Sequence, residues 1–277
     1  YNKNENKIIL LILLIYLLNS FIHLSKNFPI FLYKYFITND SSDYVKNILN
    51  INNTSYKQQI KTGSIELRNL NFSYKKNYLI LKNINLKIKD TEKIGIIGRS
   101  GSGKSTLSKV LLKFYKYQGT ILIDNKNIQK INTKYLRSKI VYANQKTILY
   151  DISVMDNIKY GNNSDSENIL KLLNDYQLLE VFSGLKNGIY SDSGVQGNEL
   201  SGGMQKVVIL LRTILKAKDS KSLIIILDEP LAGLDAKTRQ KVIKLINNEC
   251  SGITLIIITH DKEILPHMDR IIDLSEI

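Results

Sequence analysis

The chain has 277 residues, of which 43% are hydrophobic and 23% are charged. This composition supplies enough apolar side chains for a packed core, and it excludes a chain that is disordered, collagen-like or mucin-like throughout. The single cysteine, Cys250, excludes an internal disulfide and a metal site built from several cysteines of one chain. We expect Cys250 to be a small buried apolar residue. At about 150 residues per domain, the length predicts two domains or one large one.

The net charge is +14, from 39 lysines and arginines against 25 aspartates and glutamates. An excess of positive charge can indicate binding to a nucleic acid or to an anionic membrane surface. The lysines are scattered, however, and the chain is also rich in asparagine and isoleucine, which is typical of codon bias in an AT-rich genome. We therefore interpret most lysines as solvated surface residues and expect no specific nucleic-acid partner.

The N-terminal region differs from the rest of the chain. Residues 8–24 read IILLILLIYLLNSFIHL, and with Ser25 they form a charge-free run of about 18 residues, near the lower limit for a membrane span. Apolar residues cover every face of a helix here, which favours lipid; the alternative is a buried helix of a soluble protein. The segment lacks a small-residue cleavage site, which argues against a signal peptide. The chain begins with Tyr1 rather than Met, so we expect it to be a fragment or a processed piece.

Residues 39–63 are polar and contain one short amphipathic stretch at 44–49. We interpret them as the end of a helix followed by a linker, which predicts a domain boundary near residue 60. Residues 1–60 would then hold the apolar span, its helical extension and the linker. Residues 61–277 would form a single α/β domain, because no internal repeat is visible in them.

The predicted elements of the second domain follow each other in an α/β order. Strands are predicted where apolar residues alternate or form short runs, at 64–74, 79–90, 92–98, 119–128, 139–145, 222–230 and 252–260. Helices are predicted at 104–114 and 203–216, and residues 164–187 are expected to be mainly helical.

A phosphate-binding pattern lies between the third predicted strand and the first helix. Residues 98–105 read GRSGSGKS and fit G-x-x-x-x-G-K-[ST]. Glycines let the backbone approach phosphates closely, and Lys104 would place a cation on the β- and γ-phosphates, while the Ser105 hydroxyl would ligate Mg²⁺. The alternative is a surface loop. The predicted binding residues are Gly98, Arg99, Ser100, Gly101, Ser102, Gly103, Lys104, Ser105 and Thr106.

Two adjacent carboxylates end the apolar strand at 222–230. In P-loop NTPases a carboxylate at a strand end binds Mg²⁺, and a neighbouring carboxylate can polarise the attacking water. We therefore predict Asp228 as a metal ligand and Glu229 as the catalytic base; the alternative is a pair that caps a helix. The guanine-reading pattern NKxD is absent, because the nearest stretch, 125–127, does not fit it. This favours ATP over GTP.

Two further motifs complete an ordered set. LSGGM occupies 200–204, upstream of the strand that ends in Asp228, and His260 follows the strand ITLIIIT. In this order the motifs resemble those of the nucleotide-binding domain of ABC transporters, and the resemblance covers residues 63–277. It implies an α/β P-loop fold with an antiparallel β subdomain and a helical subdomain, preceded by a transmembrane helix. It also implies that ATP is bound and hydrolysed with Mg²⁺.

The resemblance implies roles for single residues. Tyr74 would stack on adenine, although an ordinary strand tyrosine is the alternative. Gln145, in YANQ, would contact Mg²⁺ and water and couple to the membrane domain; a loop glutamine is the alternative. His260 would contact the γ-phosphate. The implied catalytic residues are Lys104, Glu229 and His260, and the implied metal ligands are Ser105, Gln145 and Asp228.

The resemblance also implies an assembly. Ser201, Gly202 and Gly203 of one chain would face the γ-phosphate held by a second nucleotide-binding domain, in a homodimer or a heterodimer, and Leu234-Asp235 would cross the interface. Residues 8–60 are similar to the last transmembrane helix and linker of an ABC exporter. The implied protein is a multi-pass membrane protein, with a transmembrane domain in the lipid membrane and its nucleotide-binding domain on the cytosolic side.

Two positions depart from the family pattern. Met204 stands where glutamine is common, and Val195 stands where exporters usually carry glutamate. The first change affects the surroundings of the LSGG helix, and the second affects a salt-bridged contact with the membrane domain. Neither removes a catalytic group.

Two alternatives to an exporter stay open. A soluble ABC ATPase that acts on nucleic acid or ribosomes would suit the positive charge, but the gap 105–200 has no room for a long coiled coil, and only one ATPase domain is present. A catalytically dead module would use nucleotide only as structural glue. The intact Lys104, Asp228, Glu229 and His260 argue against that second alternative.

Overall fold

The structure is a computed structural model and describes residues 13–18, 20–21, 58–75 and 78–276. Two units are distinguished, Tyr1–Ser55 and Tyr56–Ile277. In the first unit, residues 13–18 are helical and their side chains are exposed. Most of the membrane span predicted at 8–24 lies outside the described residues, and among the described residues no helix has the length and apolar character needed to cross a membrane. The boundary near residue 60 stays a prediction.

The described part of the second unit contains nine strands and six α-helices. The strands are β1 (Ile65–Phe72), β2 (Leu81–Ile88), β3 (Lys93–Ile97), β4 (Gln118–Ile123), β5 (Lys126–Asn127), β6 (Ile140–Ala143), β7 (Ile224–Asp228), β8 (Thr254–Ile258) and β9 (Arg270–Asp273). The helices are α1 (Lys104–Leu111), α2 (Thr133–Lys139), α3 (Val154–Lys159), α4 (Ser166–Asp175), α5 (Gly202–Asp219) and α6 (Ala236–Glu249).

Four strands form an antiparallel sheet in the order β2-β1-β4-β5. Strands β1 and β2 alternate buried and exposed residues along much of their length, as expected for a sheet with one face on the core. The single strand predicted at 119–128 is wrong in its second half. The chain turns back at Asp124 and Asn125, whose φ angles are 52° and 58°. Asp and Asn tolerate this left-handed conformation, which a two-residue hairpin requires.

Five strands form a parallel sheet in the order β6-β7-β8-β3-β9. Every residue of β7 and β8 is buried, which explains their unbroken runs of isoleucine and leucine. The carboxyl ends of parallel strands meet at one edge of a sheet, and ligands bind there in α/β folds. This edge therefore gathers the segments that follow β3, β6, β7 and β8, each of which carries a predicted site residue.

The other predicted elements agree with the structure to different degrees. Each of the six remaining predicted strands contains one observed strand, and the two predicted helices contain most of α1 and α5. Residues 164–187 are helical in α4, but only a short 3₁₀ turn, Leu179–Phe182, follows it within that range. Cys250 is fully buried, as expected, and burial raises the pKa of its thiol to about 12.

Candidate functional site

The predicted phosphate-binding loop joins β3 to α1 at the carboxyl edge of the parallel sheet. Gly98 and Gly103 have φ angles of 144° and 94°, a region that favours glycine. A Cβ atom at Gly103 would lie 2.7 Å from a methyl group of Leu81. Helix α1 begins at Lys104, directly after the loop. Its unsatisfied N–H groups therefore face the loop, an arrangement that binds anions.

The Lys104 side chain is held over this loop. Its side chain is largely buried, and Nζ donates hydrogen bonds to the carbonyl oxygens of Gly98 at 2.6 Å and Arg99 at 3.0 Å. Within the described part of the chain, Lys104 forms no ion pair. The ammonium group therefore stands beside the loop backbone with its charge available to an anion.

Asp228, at the end of β7, is tied to the loop helix. It is 4% exposed, and its Oδ2 atom accepts hydrogen bonds from the Ser105 hydroxyl at 2.8 Å and from the Tyr142 hydroxyl at 3.1 Å. The structure thus brings together two of the predicted metal ligands, Ser105 and Asp228, which are 123 residues apart in the sequence.

Glu229 follows in a left-handed backbone conformation, with φ of 50°. Its N–H donates to the carbonyl of Ile258 at 2.8 Å, and its Oε2 accepts a hydrogen bond from Thr259 Oγ1 at 3.1 Å. Its Oε1 lies 4.0 Å from Nε2 of His260, whose ring is more than half exposed. The end of strand β8 and the two residues that follow it therefore orient the carboxylate that we predicted as the base, and they bring the predicted histidine next to it.

These groups line one cavity of about 540 Å³, here called the P-loop cleft. Its lining consists of Ile80, Ser100, Gly101, Gly103, Lys104, Ser105, Thr106, Gln145, Asp228, Glu229 and His260. The volume of the cleft lies within the usual range for small-molecule sites, roughly 300–1,000 Å³. It therefore brings together most of the residues predicted for nucleotide and metal.

The lining also fits the two groups that the sequence implies. A cation on Lys104 and a helix N-terminus suit a polyphosphate. A serine hydroxyl, an amide oxygen and one carboxylate suit Mg²⁺, which usually takes one or two carboxylates together with phosphate oxygens. No cluster of three or more His, Cys, Asp or Glu side chains that could hold a metal ion occurs among the described residues. The described residues therefore do not form a metal site from such side chains alone.

Tyr74 lies beside the P-loop cleft but is not part of its lining. Its side chain is half-exposed, and its hydroxyl is 3.2 Å from Oγ1 of Thr106, which does line the cleft. The ring meets those of Phe72 and Tyr115 edge-on, with centroids 4.8 Å and 5.2 Å apart. Two aromatic neighbours thus fix the ring that we predicted to stack on adenine.

The LSGG residues lie elsewhere. Ser201 caps α5, where its Oγ accepts a hydrogen bond from the N–H of Met204 at 3.2 Å. A second cavity of about 330 Å³, here called the LSGG cavity, is lined by Glu180, Val181, Ser201, Gly203, Met204, Asp235, Lys237, Thr238 and Lys241. Gly202 is exposed, and no atom lies within 4 Å of where its Cβ would be. Ser201 and Gly203 are therefore not brought to the P-loop cleft of their own chain.

The charges of the LSGG cavity neutralise each other. Glu180 Oε2 accepts hydrogen bonds from Lys241 at 2.7 Å and Lys237 at 2.9 Å. These two contacts, with that of Lys241 the larger, lower the pKa of Glu180 to about 2. Asp235 caps α6 by accepting from the N–H of Thr238. The hydroxyl of Thr238, and after it this N–H, lower the pKa of Asp235 as well.

The two departures from the family pattern differ in burial. Met204 is half-buried and packs against the core cluster beneath α5. Gln205, beside it, donates from Nε2 to the carbonyl oxygens of Gly197 and Leu200, at 2.8 Å and 3.2 Å. Val195 is 62% exposed. The methionine is thus accommodated by packing, whereas the valine leaves an apolar side chain at the surface.

Sequence reasoning missed three side chains near the two carboxylates. Tyr142 and Thr259 donate the hydrogen bonds given above, and Lys206 of α5 is half-buried. Burial lowers the pKa of Lys206, although the charges of Asp228 and Glu229 oppose that shift. The only signal for Tyr142 and Thr259 is that each lies within three residues of a predicted site residue. Lys206 has the same weak signal, since it lies three residues after Gly203.

Comparison with known proteins agrees with this geometry. The family model described as ABC transporter matches residues 81–232, more than half of the chain. An export ATP-binding/permease protein of Rickettsia bellii is 35% identical over 81% of this chain, and the match covers 39% of that protein. The ABC transporter ATM1 of Plasmodium falciparum is 39% identical over 72% of this chain and 19% of that protein.

A solved structure is also similar. A bacterial Atm1-family ABC exporter with ATP bound superposes with a TM-score of 0.72 at 26% identity, over 79% of this chain and 38% of that one. The chain spans about two fifths, or less, of the length of these relatives. From the family model, the relatives and the fold together, we conclude that the chain belongs to the ABC transporter family and covers its nucleotide-binding part.

Proposed function

We propose that the chain binds ATP in the P-loop cleft and hydrolyses it, as the energy-supplying part of an exporter-type ABC transporter. One observation carries the proposal: a single cleft gathers the loop backbone, Lys104, Ser105, two carboxylates and His260. The relative named as an export ATP-binding/permease protein and the similar structure of an ABC exporter support the exporter assignment over the soluble nucleic-acid ATPase.

Each residue has a physical task in this proposal. Lys104 would leave the carbonyl oxygens of Gly98 and Arg99 and bind the β- and γ-phosphates, because a phosphate is a stronger acceptor for an ammonium group. Glu229, held by Thr259, would accept the proton of the attacking water. His260 would donate a hydrogen bond to the γ-phosphate from its position 4.0 Å from Glu229.

Ser105, Gln145 and Asp228 would hold Mg²⁺. The ion, when bound, would neutralise charge that develops on the phosphates. The Ser105 hydroxyl already donates a hydrogen bond to Asp228, so the lone pairs of its oxygen remain free to face a cation. Asp228 is buried at the floor of the cleft and would supply the negative charge that the site needs.

We further propose that two nucleotide-binding domains complete each other's sites. The support is that Ser201 and Gly203 line a cavity separate from the P-loop cleft, and that Gly202 is exposed with free space around it. A helix N-terminus with an exposed glycine can approach a γ-phosphate presented by another chain. The D-loop pair Leu234-Asp235 would lie at that interface.

The remaining assignments concern the membrane. We propose that residues 8–24 form a transmembrane helix of a multi-pass protein, that residues 1–60 and 61–277 are separate domains, and that the latter is cytosolic. The support is the charge-free apolar run, together with the exposure of Leu13, Leu14, Ile15, Leu17, Leu18 and Phe21. A transmembrane domain and lipid are then the partners of the chain.

Glu229→Gln tests the proposed function. An amide cannot accept the water proton, so ATP turnover should fall by about 10²–10⁴-fold while ATP binding is retained. The variant should also accumulate as an ATP-bound dimer, detected by size-exclusion chromatography with light scattering. Glu263→Gln, which changes a carboxylate outside the cleft, is the matched control. Near-normal turnover of Glu229→Gln would show that another group is the base.

A further inference from the structure

Tyr142 is not part of the lining of the P-loop cleft, but its side chain contacts Asp228, which is. Tyr142 lies in β6, which pairs with β7 so that Tyr142 is opposite Ile226 and Ala143 is opposite Leu227. The tyrosine side chain is long enough to reach past this register, and its hydroxyl donates to Oδ2 of Asp228 at 3.1 Å. The ring itself packs against the core cluster that underlies α1.

Both hydrogen bonds to Asp228 reach the same oxygen atom. Ser105 and Tyr142 each donate to Oδ2, from two different elements, α1 and β6. A carboxylate that is held at one oxygen by two donors cannot rotate freely about its terminal bond. No hydrogen bond from any described residue reaches Oδ1 of Asp228, so that oxygen stays available to a cation or its water.

We infer that Tyr142 is a positioning residue for the metal-binding carboxylate: its hydroxyl fixes the plane of Asp228 so that the second oxygen faces Mg²⁺. The inference rests on the proposed function of the P-loop cleft. It assigns Tyr142 the role that second partners of metal ligands commonly have, which is to orient a ligand before the metal arrives.

The Tyr142 hydroxyl can donate to Asp228 at neutral pH, because the ordinary pKa of a tyrosine is about 10. Phenylalanine at this position would fill the same space but would leave Oδ2 with one donor instead of two.

The position of Tyr142 in the chain adds a second consequence. Three residues later comes Gln145, a predicted metal ligand that also lines the cleft. Strand β6 and the segment directly after it would thus supply the donor that orients one ligand and a second ligand itself. A displacement of this strand would alter both contacts to the metal together.

The test compares ATP affinity of the chain with Mg²⁺ and with EDTA, for the wild type and for Tyr142→Phe. We expect the affinity in EDTA to be unchanged, and the gain in affinity that Mg²⁺ gives to fall by about 10-fold, the lower end of the usual loss when an orienting partner is removed. Tyr135→Phe is the matched control, because its hydroxyl bonds the backbone of Ile60. It should change neither affinity.

Two outcomes would overturn the inference. An unchanged Mg²⁺ effect in Tyr142→Phe would show that the hydroxyl does not orient the ligand. An equal loss in Mg²⁺ and in EDTA would show that Tyr142 only supports the fold. Failure of the wild type to bind ATP at all would instead overturn the proposed function, so the two failures are distinguishable.

A double-mutant cycle locates the effect. In an Asp228→Asn background, Tyr142→Phe should cause no further loss of the Mg²⁺ effect, because two residues that act through one contact are not additive. A full additional 10-fold loss would show that Tyr142 acts independently of Asp228, and this would contradict the inference.

Discussion

The P-loop cleft and the LSGG cavity differ in whether their charged side chains are paired with side chains of opposite charge. In the cleft, Lys104 binds backbone carbonyls, and Asp228 accepts hydrogen bonds only from hydroxyl groups within the described residues. In the LSGG cavity, Glu180 is paired with both Lys237 and Lys241. The cleft therefore keeps separated charges that a polyphosphate and a cation can satisfy, whereas the charges around the LSGG residues are already satisfied.

Among the changes that test this difference between the two cavities, Lys104→Ala is expected to have the largest effect on ATP binding. Removing the uncompensated cation should weaken ATP binding by about 100-fold or more, since hydrogen bonds to charged groups contribute roughly 1.5–3 kcal/mol each. ATP affinity measured by calorimetry would check this. Lys109→Ala, on the same helix but outside the cleft lining, should bind ATP normally. Equal affinities of the two variants would contradict the assignment of the loop.

The next test asks whether the LSGG cavity completes the cleft of a second chain. Lys104→Ala and Ser201→Arg should each abolish ATPase activity in a homodimer, the first by losing phosphate binding and the second by placing a bulky side chain against the γ-phosphate. Mixing the two variants should recover part of the activity, because a mixed dimer contains one intact composite site.

The control for this mixing experiment carries both changes in one chain. Mixed with either single variant, it rebuilds no site and should stay inactive. If the mixture is no more active than this control, either completion in trans is absent or both sites must act together. Adding Glu229→Gln separates these two cases, because ATP-driven dimer formation needs the LSGG residues even when hydrolysis is blocked.

A smaller effect is expected at the edge of the cleft. Tyr74→Ala should weaken ATP binding by about 1–3 kcal/mol, the usual contribution of stacking on a base. Tyr74→Phe should restore most of this affinity in the same binding assay. If it does not, the hydrogen bond between the Tyr74 hydroxyl and Thr106 is the important contact, and stacking is the wrong explanation.

The smallest effect concerns the paired charges of the LSGG cavity. The pKa of Glu180, about 2 against an ordinary 4.5, is lowered by hydrogen bonds from Lys241 and Lys237. This pairing stabilises the fold at pH values above the ordinary pKa, and the contribution is lost as the pH falls toward 2. Because Glu180 is exposed, the change in stability should be small.

Lys241→Ala should therefore raise the pKa of Glu180 toward its ordinary value, as followed by NMR titration of the side chain. Lys244→Ala, on the same helix, should leave it unchanged. If Lys241→Ala leaves the pKa near 2, Lys237 alone holds the carboxylate.

The comparison also shows what the sequence could and could not predict. Residues of the P-loop cleft stand at the ends of strongly apolar strands or in a glycine-rich loop, so pattern and spacing indicated Lys104 and Asp228. The role of His260 was predicted from the resemblance to ABC transporters. All three side chains line the cleft. Tyr142 could not be found this way, because a tyrosine in a strand has no feature that reveals where its hydroxyl points. Its contact with Asp228 depends on the pairing of β6 and β7.

Elements with weak apolar periodicity were missed for a related reason. Helix α6 reads AKTRQKVIKLINNE, in which polar residues predominate, and its start is set by the Asp235 cap rather than by an apolar face. Strand β9 has only four residues, two of them exposed. Helices α2 and α3 have seven and six residues, too few for a helical period to be recognised. Tertiary packing, rather than local pattern, fixes these segments.

The burial of Cys250 has a practical consequence for work with this chain. It is the only cysteine of the sequence, and burial holds its thiol in the unreactive protonated form. A cysteine introduced at an exposed position such as Val195 would therefore react selectively with a fluorescent maleimide in the folded protein. Conversely, the rate at which Cys250 is labelled in the unaltered chain would report how often the core around α6 opens. One native side chain therefore provides a measurement of local unfolding.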